Sequence, residues 1–133
     1  MATDSQNAHV SKKMLWAGMV VSALPVFMLI MSGVMKVLQP PDAAEGFAHL
    51  GWPVNLAIAL AVVELGATLL YVIPITSVLG AILLTGYLGG AIATHVRVGD
   101  HGDIVIPIVL GVLVWLGLFL RDPRLRQLIP LRS

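Results

Sequence analysis

The sequence predicts an all-α, polytopic membrane protein: a bundle of four transmembrane helices with a short interfacial helix after the first span. Three observations carry that reading. Of 133 residues, 58% are apolar and 11% charged, against about 25% charged in an average soluble domain. Mean hydropathy is +0.94. The apolar residues form continuous runs, without the in–out alternation of a membrane barrel strand.

A polar tail over residues 1–13 precedes the first run. That run is too long for the apolar region of a leader, so it is read as a retained helix. The spans are placed at 14–38, 53–73, 75–96 and 104–120. A spanning helix needs about 20 residues. The first three satisfy this, and the fourth is short, at roughly 25 Å. Pro25 and Pro107 are tolerable in membrane helices because neighbours satisfy the freed carbonyls. Pro74 marks a tight turn between the second and third spans.

Between the first two spans, Pro41-Asp42-Ala43-Ala44-Glu45 reads as a capping box, with Asp42 as N-cap and Glu45 reaching back. Gly51 is expected to stop this short helix, and Trp52 to anchor it at the interface. A basic tail over 121–133 closes the chain. Lys12, Lys13, Arg121, Arg124, Arg126 and Arg132 lie outside the first and fourth spans, at their terminal ends. The positive-inside rule then puts both termini in the cytoplasm, and the expected location is a bacterial inner (plasma) membrane.

Composition also excludes chemistry. There is no cysteine, so there is no disulfide, iron–sulfur cluster or redox thiol pair. A net charge of +1 gives no footprint for nucleic acid.

Ionisable residues inside a span are costly and face the bundle interior or a wet cavity. Glu64 lies about 16 Å along the second span. At 100° per residue, Ala57, Ala61, Thr68 and Tyr71 share its face. On the first span, Gly18, Ser22, Pro25, Leu29, Ser32 and Lys36 recur at three- and four-residue steps. On the third, Gly86, Gly90 and Ala93 form a small face suited to close helix approach. Tyr87, Thr94 and His95 lie beside it, with Arg97 at the end. The expected site is a pocket opening toward the outer face. Its candidate ligand-binding residues are Lys36, Glu64, Tyr87, His95, Ser32, Thr94 and Arg97. Phe47, His49 and Trp52 supply an interfacial cover, and Asp100 and Asp103 join Arg97 at the rim.

His49, His95, His101, Asp100 and Asp103 gather on one expected surface, but no HxxxH or HExxH spacing occurs, so no metal is assigned. A haem would rest on His95 alone. No catalytic triad motif is present, and no catalytic residue is assigned.

Several motifs together carry a resemblance. They are Gly33-x-x-Lys36, Leu50-Gly51-Trp52-Pro53, Glu64-Leu65-Gly66-Ala67, Gly90-Ala91-Ile92-Ala93-Thr94-His95 and Gly99-Asp100. Over roughly residues 14–125 the chain resembles the DoxX-like membrane proteins, in their small four-helix form. The wider group includes a membrane subunit of thiosulfate:quinone oxidoreductase and proteins tied to oxidative-stress complexes. The resemblance implies an accessory subunit, or a binder of a quinone or other lipophilic molecule, in a membrane redox or respiratory complex. Such a chain would not be catalytic alone and would hold no covalent cofactor, only a quinone or lipid. Its partners would be membrane lipids and either further copies of itself or a larger complex. Two alternatives stand beside this one: a small proton-coupled transporter with Glu64 as the titrating carboxylate, and a structural subunit.

Overall fold

A computed structural model describes residues 12–128. The helices are α1 (Lys12–Leu38), α2 (Pro41–His49), α3 (Ala57–Val72), α4 (Ser77–Arg97), α5 (Val105–Arg121) and α6 (Pro123–Arg126). Short 3-10 turns at Val54–Leu56, Pro74–Thr76 and His101–Ile104 lead into α3, α4 and α5. Among the described residues there is no strand. The tail residues 1–11 and 129–133 lie outside the described range.

The fold is a ring of four helices: α1 packs on α5 and α3, and α4 packs on α3 and α5. The short connections make sequential long helices antiparallel. One end of the ring, the loop end, carries α2 and the His101–Ile104 turn. The start of α1 and the end of α5 lie at the other, the terminal end.

α1, residues 74–97 and residues 101–121 are each long and apolar enough to cross a membrane. α3 is the short one, at 16 residues. The fourth span, expected to be short, has an α-helix of 17 residues, and the second, expected to be long enough, is shorter still. The reason lies in the prolines. Pro53 is followed by a 3-10 turn in which Leu56 N–H bonds the Pro53 carbonyl at 3.0 Å. Ile73 is forced extended (ψ 122°) by Pro74. Both ends of the second run are thereby taken out of the α-helix.

The outside of the ring is apolar. Trp16, Phe27, Val62 and Leu69 are each more than 60% exposed. In water such a surface would be an aggregation hazard, and in lipid it is the solvated face. The interior is built from Leu29, Ala67, Tyr71, Ala81, Leu84, Leu88, Leu110, Val114 and Leu118.

Several hydroxyl and indole groups on the helices are paired. The Tyr71 hydroxyl donates to the Val114 carbonyl at 2.7 Å and meets Ser22 Oγ at 3.0 Å, tying α3 to α5 and α1. Trp115 Nε1 donates to Thr85 Oγ1 at 2.7 Å, tying α5 to α4. Thr68, Thr85 and Thr94 donate back to the carbonyls of Glu64, Ala81 and Gly90. Each hydroxyl thus reaches the preceding turn of its own helix.

Close approach depends on Gly18, which the sequence reading placed on the α1 stripe, and on Gly80 and Gly117, which it did not choose. Gly18 and Gly117 bring α1 against α5, and Gly80 brings α4 against the Tyr71 backbone. The stripe Gly86, Gly90 and Ala93 does not seat a helix: Gly86 and Gly90 have nothing within 4 Å of an added Cβ. Helix α4 instead buries Ser77, Gly80, Ala81, Leu84 and Leu88, because its packing stripe starts at the tight turn.

Candidate functional site

A cavity of about 550 Å³ lies at the loop end, with walls from α1, α3, α4 and α5 and a cover from α2. Most of its wall is apolar, including Leu29, Leu60, Leu88 and Leu110. The polar side chains are concentrated at one wall and at the mouth.

The polar wall starts with α3. Glu64 shares its face with Ala57, Ala61, Thr68 and Tyr71, and all five are buried. Glu64 is 1% exposed. From α1, Lys36 Nζ lies 3.3 Å from Glu64 Oε1 and 3.5 Å from Oε2. Ser32, one turn earlier, completes the cluster. Lys36 Nζ donates to Ser32 Oγ at 2.7 Å, and Ser32 Oγ donates to Glu64 Oε2 at 3.1 Å. The carboxylate therefore accepts from Lys36 and Ser32, and the ammonium is shared between Ser32 Oγ and both carboxylate oxygens.

Tyr87 of α4 stands against this pair, with Lys36 Nζ 5.7 Å from its ring centroid, within cation–π range. Taking both charges out of water costs several kcal/mol per ion, on the order of what their attraction returns. Stability alone therefore does not explain the pair.

The cover is formed differently from the expectation. Pro40, not Asp42, is the N-cap of α2, and no side chain caps it. Prolines at 40 and 41 fix the first turn and remove one N–H that would otherwise need a partner. The capping box is absent for that reason. At its other end α2 stops at Gly51 as expected. Gly51 has φ +79°, with Gly51 N–H bonding Ala48 O and Trp52 N–H bonding Phe47 O, both at 3.0 Å. This is a Schellman turn. It points Phe47 and Trp52 into the cavity.

At the mouth, His95, Thr94 and Asp103 line the opening. His49 does not line it: it is exposed and its Nε2 lies 2.7 Å from Asp100 Oδ2. Arg97 does not line it either. Its guanidinium donates to the Leu50 carbonyl, so it fastens the end of α2 to the end of α4. Of the seven residues named for binding, six surround the cavity and Arg97 stays outside it.

Removing the Arg97 contact is expected to loosen the cover without disturbing the ring. Arg97→Ala should lose about 1 kcal/mol of local stability. Hydrogen exchange should speed up over residues 41–52, with protection in α3 and α5 unchanged. Equal loosening of all helices would contradict this assignment.

Sequence reasoning missed much of the apolar lining. Leu110 and Pro107 of α5 line the cavity, but as ordinary apolar residues of a span they carried no distinguishing signal. Gly86 and Gly90 also line it. Their small size opens space for an occupant and not for a helix.

A model of a family described as the DoxX-like family matches residues 20–117. The match takes in most of α1 and α5, all of α3 and α4, and every cavity residue named here. Comparison with curated proteins gave no match, and neither did comparison with solved structures.

Proposed function

Starting from the chain's membership of the DoxX-like family, we propose that this integral membrane protein binds a lipophilic molecule with a hydrogen-bonding head, a quinone being the leading class. We place it as an accessory subunit of a membrane redox or respiratory complex. The observation that carries the reading is the cavity itself: apolar walls around one polar cluster, Lys36, Ser32, Glu64 and Tyr87. A few convergent polar groups in an apolar pocket are the usual form of a small-molecule site. A quinone carbonyl would accept from Lys36, and its ring and tail would lie against Leu29, Leu60 and Leu110. Electrons would come from a partner, since the chain has no cysteine.

The topology that goes with this reading has four spans. Residues 54–72 add the 3-10 turn to α3 and reach about 28 Å at 1.5 Å each, enough for a thin core. Both termini would be cytoplasmic, in a bacterial plasma membrane, and the cavity would open on the opposite side. The absence of native cysteine makes a direct test simple. Single cysteines at positions 45 and 100 should react with an impermeant maleimide from outside, and those at 75 and 127 only after permeabilisation.

Binding is tested by titrating a short-chain benzoquinone into the purified protein while following Trp52, which lines the cavity. Saturable quenching that Trp52→Phe removes and Glu64→Gln weakens is expected. Quenching that is linear in quinone and equal in both variants would overturn the proposal. The transporter alternative makes Glu64 the proton carrier and requires pH-dependent substrate movement that stops in Glu64→Gln.

A further inference from the structure

We infer that the mouth of the cavity is a binding site for a divalent transition-metal ion, held by His95, Asp100 and Asp103. One ligand atom from each of these residues lies within 4.8 Å of the other two. His95 Nδ1 is buried and has no hydrogen-bond partner. Asp100 Oδ2 is the carboxylate oxygen beside it, at 3.9 Å, too far for a hydrogen bond. A buried ring nitrogen without a hydrogen-bond partner thus faces two carboxylates that repel each other. A cation between them satisfies all three at once.

The backbone builds this arrangement. Helix α4 ends in a second Schellman turn. Gly99 has φ +85°, Gly99 N–H bonds Val96 O at 3.1 Å, and Asp100 N–H bonds His95 O at 2.9 Å. The last bond locks Asp100 above His95. Asp103 N–H then bonds Asp100 O at 3.1 Å, bringing the second carboxylate back over the turn. His49 Nε2, 2.7 Å from Asp100 Oδ2, orients the first carboxylate, as outer groups do around metal ligands.

One imidazole and two carboxylates suit an ion of the zinc, manganese or ferrous class better than calcium or magnesium, which take oxygen alone. Bonds of about 2.0–2.2 Å place ligand atoms roughly 3.5 Å apart in a tetrahedron, so the site closes by small side-chain rotations. His101 stays outside the group, although it lies beside Asp100 in sequence.

The site stands independently of what fills the cavity, and its test needs no quinone. The full chain, stripped with chelator in detergent, is titrated with Co²⁺ while its visible d–d absorption is followed, then challenged with Zn²⁺. One ion per chain is expected. Asp100→Asn and Asp103→Asn should each weaken binding by about tenfold or more, and His101→Ala should leave it unchanged. Melting curves of the variants confirm that they are folded. Wild-type affinity no greater than that of Asp103→Asn would overturn the proposal, as would an equal loss in His101→Ala.

Discussion

Lys36→Met is expected to destabilise the protein by about 3 kcal/mol, because it leaves the Glu64 carboxylate buried without its counter-charge. Glu64 is 1% exposed, and with Lys36 gone neutral donors such as the Ser32 hydroxyl do not replace the lost positive charge. Glu64→Gln is expected to cost less. The Lys36 side chain is 17% exposed, so its flexible stem can carry the ammonium toward the mouth. The double variant Lys36→Met with Glu64→Gln removes both charges and should recover most of the stability lost by Lys36→Met alone. Thermal unfolding in detergent, followed by tryptophan emission, checks the order. A double variant as unstable as the sum of the singles would mean that the two side chains do not act as a pair.

The second large effect lies in the helix crossings. A methyl group on Gly80 would sit 2.5 Å from Tyr71 Cα and 2.8 Å from the Leu70 carbonyl carbon. Both are backbone atoms and cannot rotate away. Gly80→Ala is therefore expected to cost about 3 kcal/mol, the upper end for overpacking. Gly117→Ala meets the Ser22 hydroxyl and lies 3.1 Å from Ser22 Cα. It pushes α1 from α5 and disturbs the Ser22–Tyr71 contact. Gly66→Ala, Gly86→Ala and Gly89→Ala meet nothing within 4 Å and should raise stability slightly through helix propensity. Melting temperatures of the five variants in one detergent decide the matter, and a tolerated Gly80→Ala would refute the close crossing.

How much of this was legible beforehand differs from residue to residue. The inward face of α3 followed from angular spacing alone, since Ala57, Ala61, Glu64, Thr68 and Tyr71 are the residues buried there along with Ala67. The α1 stripe was legible for the same reason, but periodicity did not settle whether Lys36 reaches outward or turns to Glu64, and it gave no sign of the Ser32–Glu64 bond. Periodicity identifies a face, but it does not say which glycines a neighbouring helix will use. The glycines of α4 at 80, 86 and 90 look alike in sequence. Only the tight turn at Pro74–Thr76 brings α3 back against Gly80. Residues at helix ends were the least legible. Asp42 has the right spacing to Glu45 for a capping box, yet two prolines take over the first turn. His49 and Arg97 leave the cavity because they find partners across the loops, in Asp100 and in the Leu50 carbonyl. Such contacts depend on how two turns meet, and neither turn's sequence contains that information.

The measurement that bears most directly on the cavity is native mass spectrometry of the protein extracted gently from its own membranes, with wild type beside Glu64→Gln. It is followed by organic extraction and identification of any retained molecule. A quinone or another headed lipophile bound to wild type at one per chain, and depleted in the variant, is the predicted result. Wild type and variant that both carry no small molecule, while retaining the same partner proteins, would contradict a binding role and leave the bundle as a scaffold.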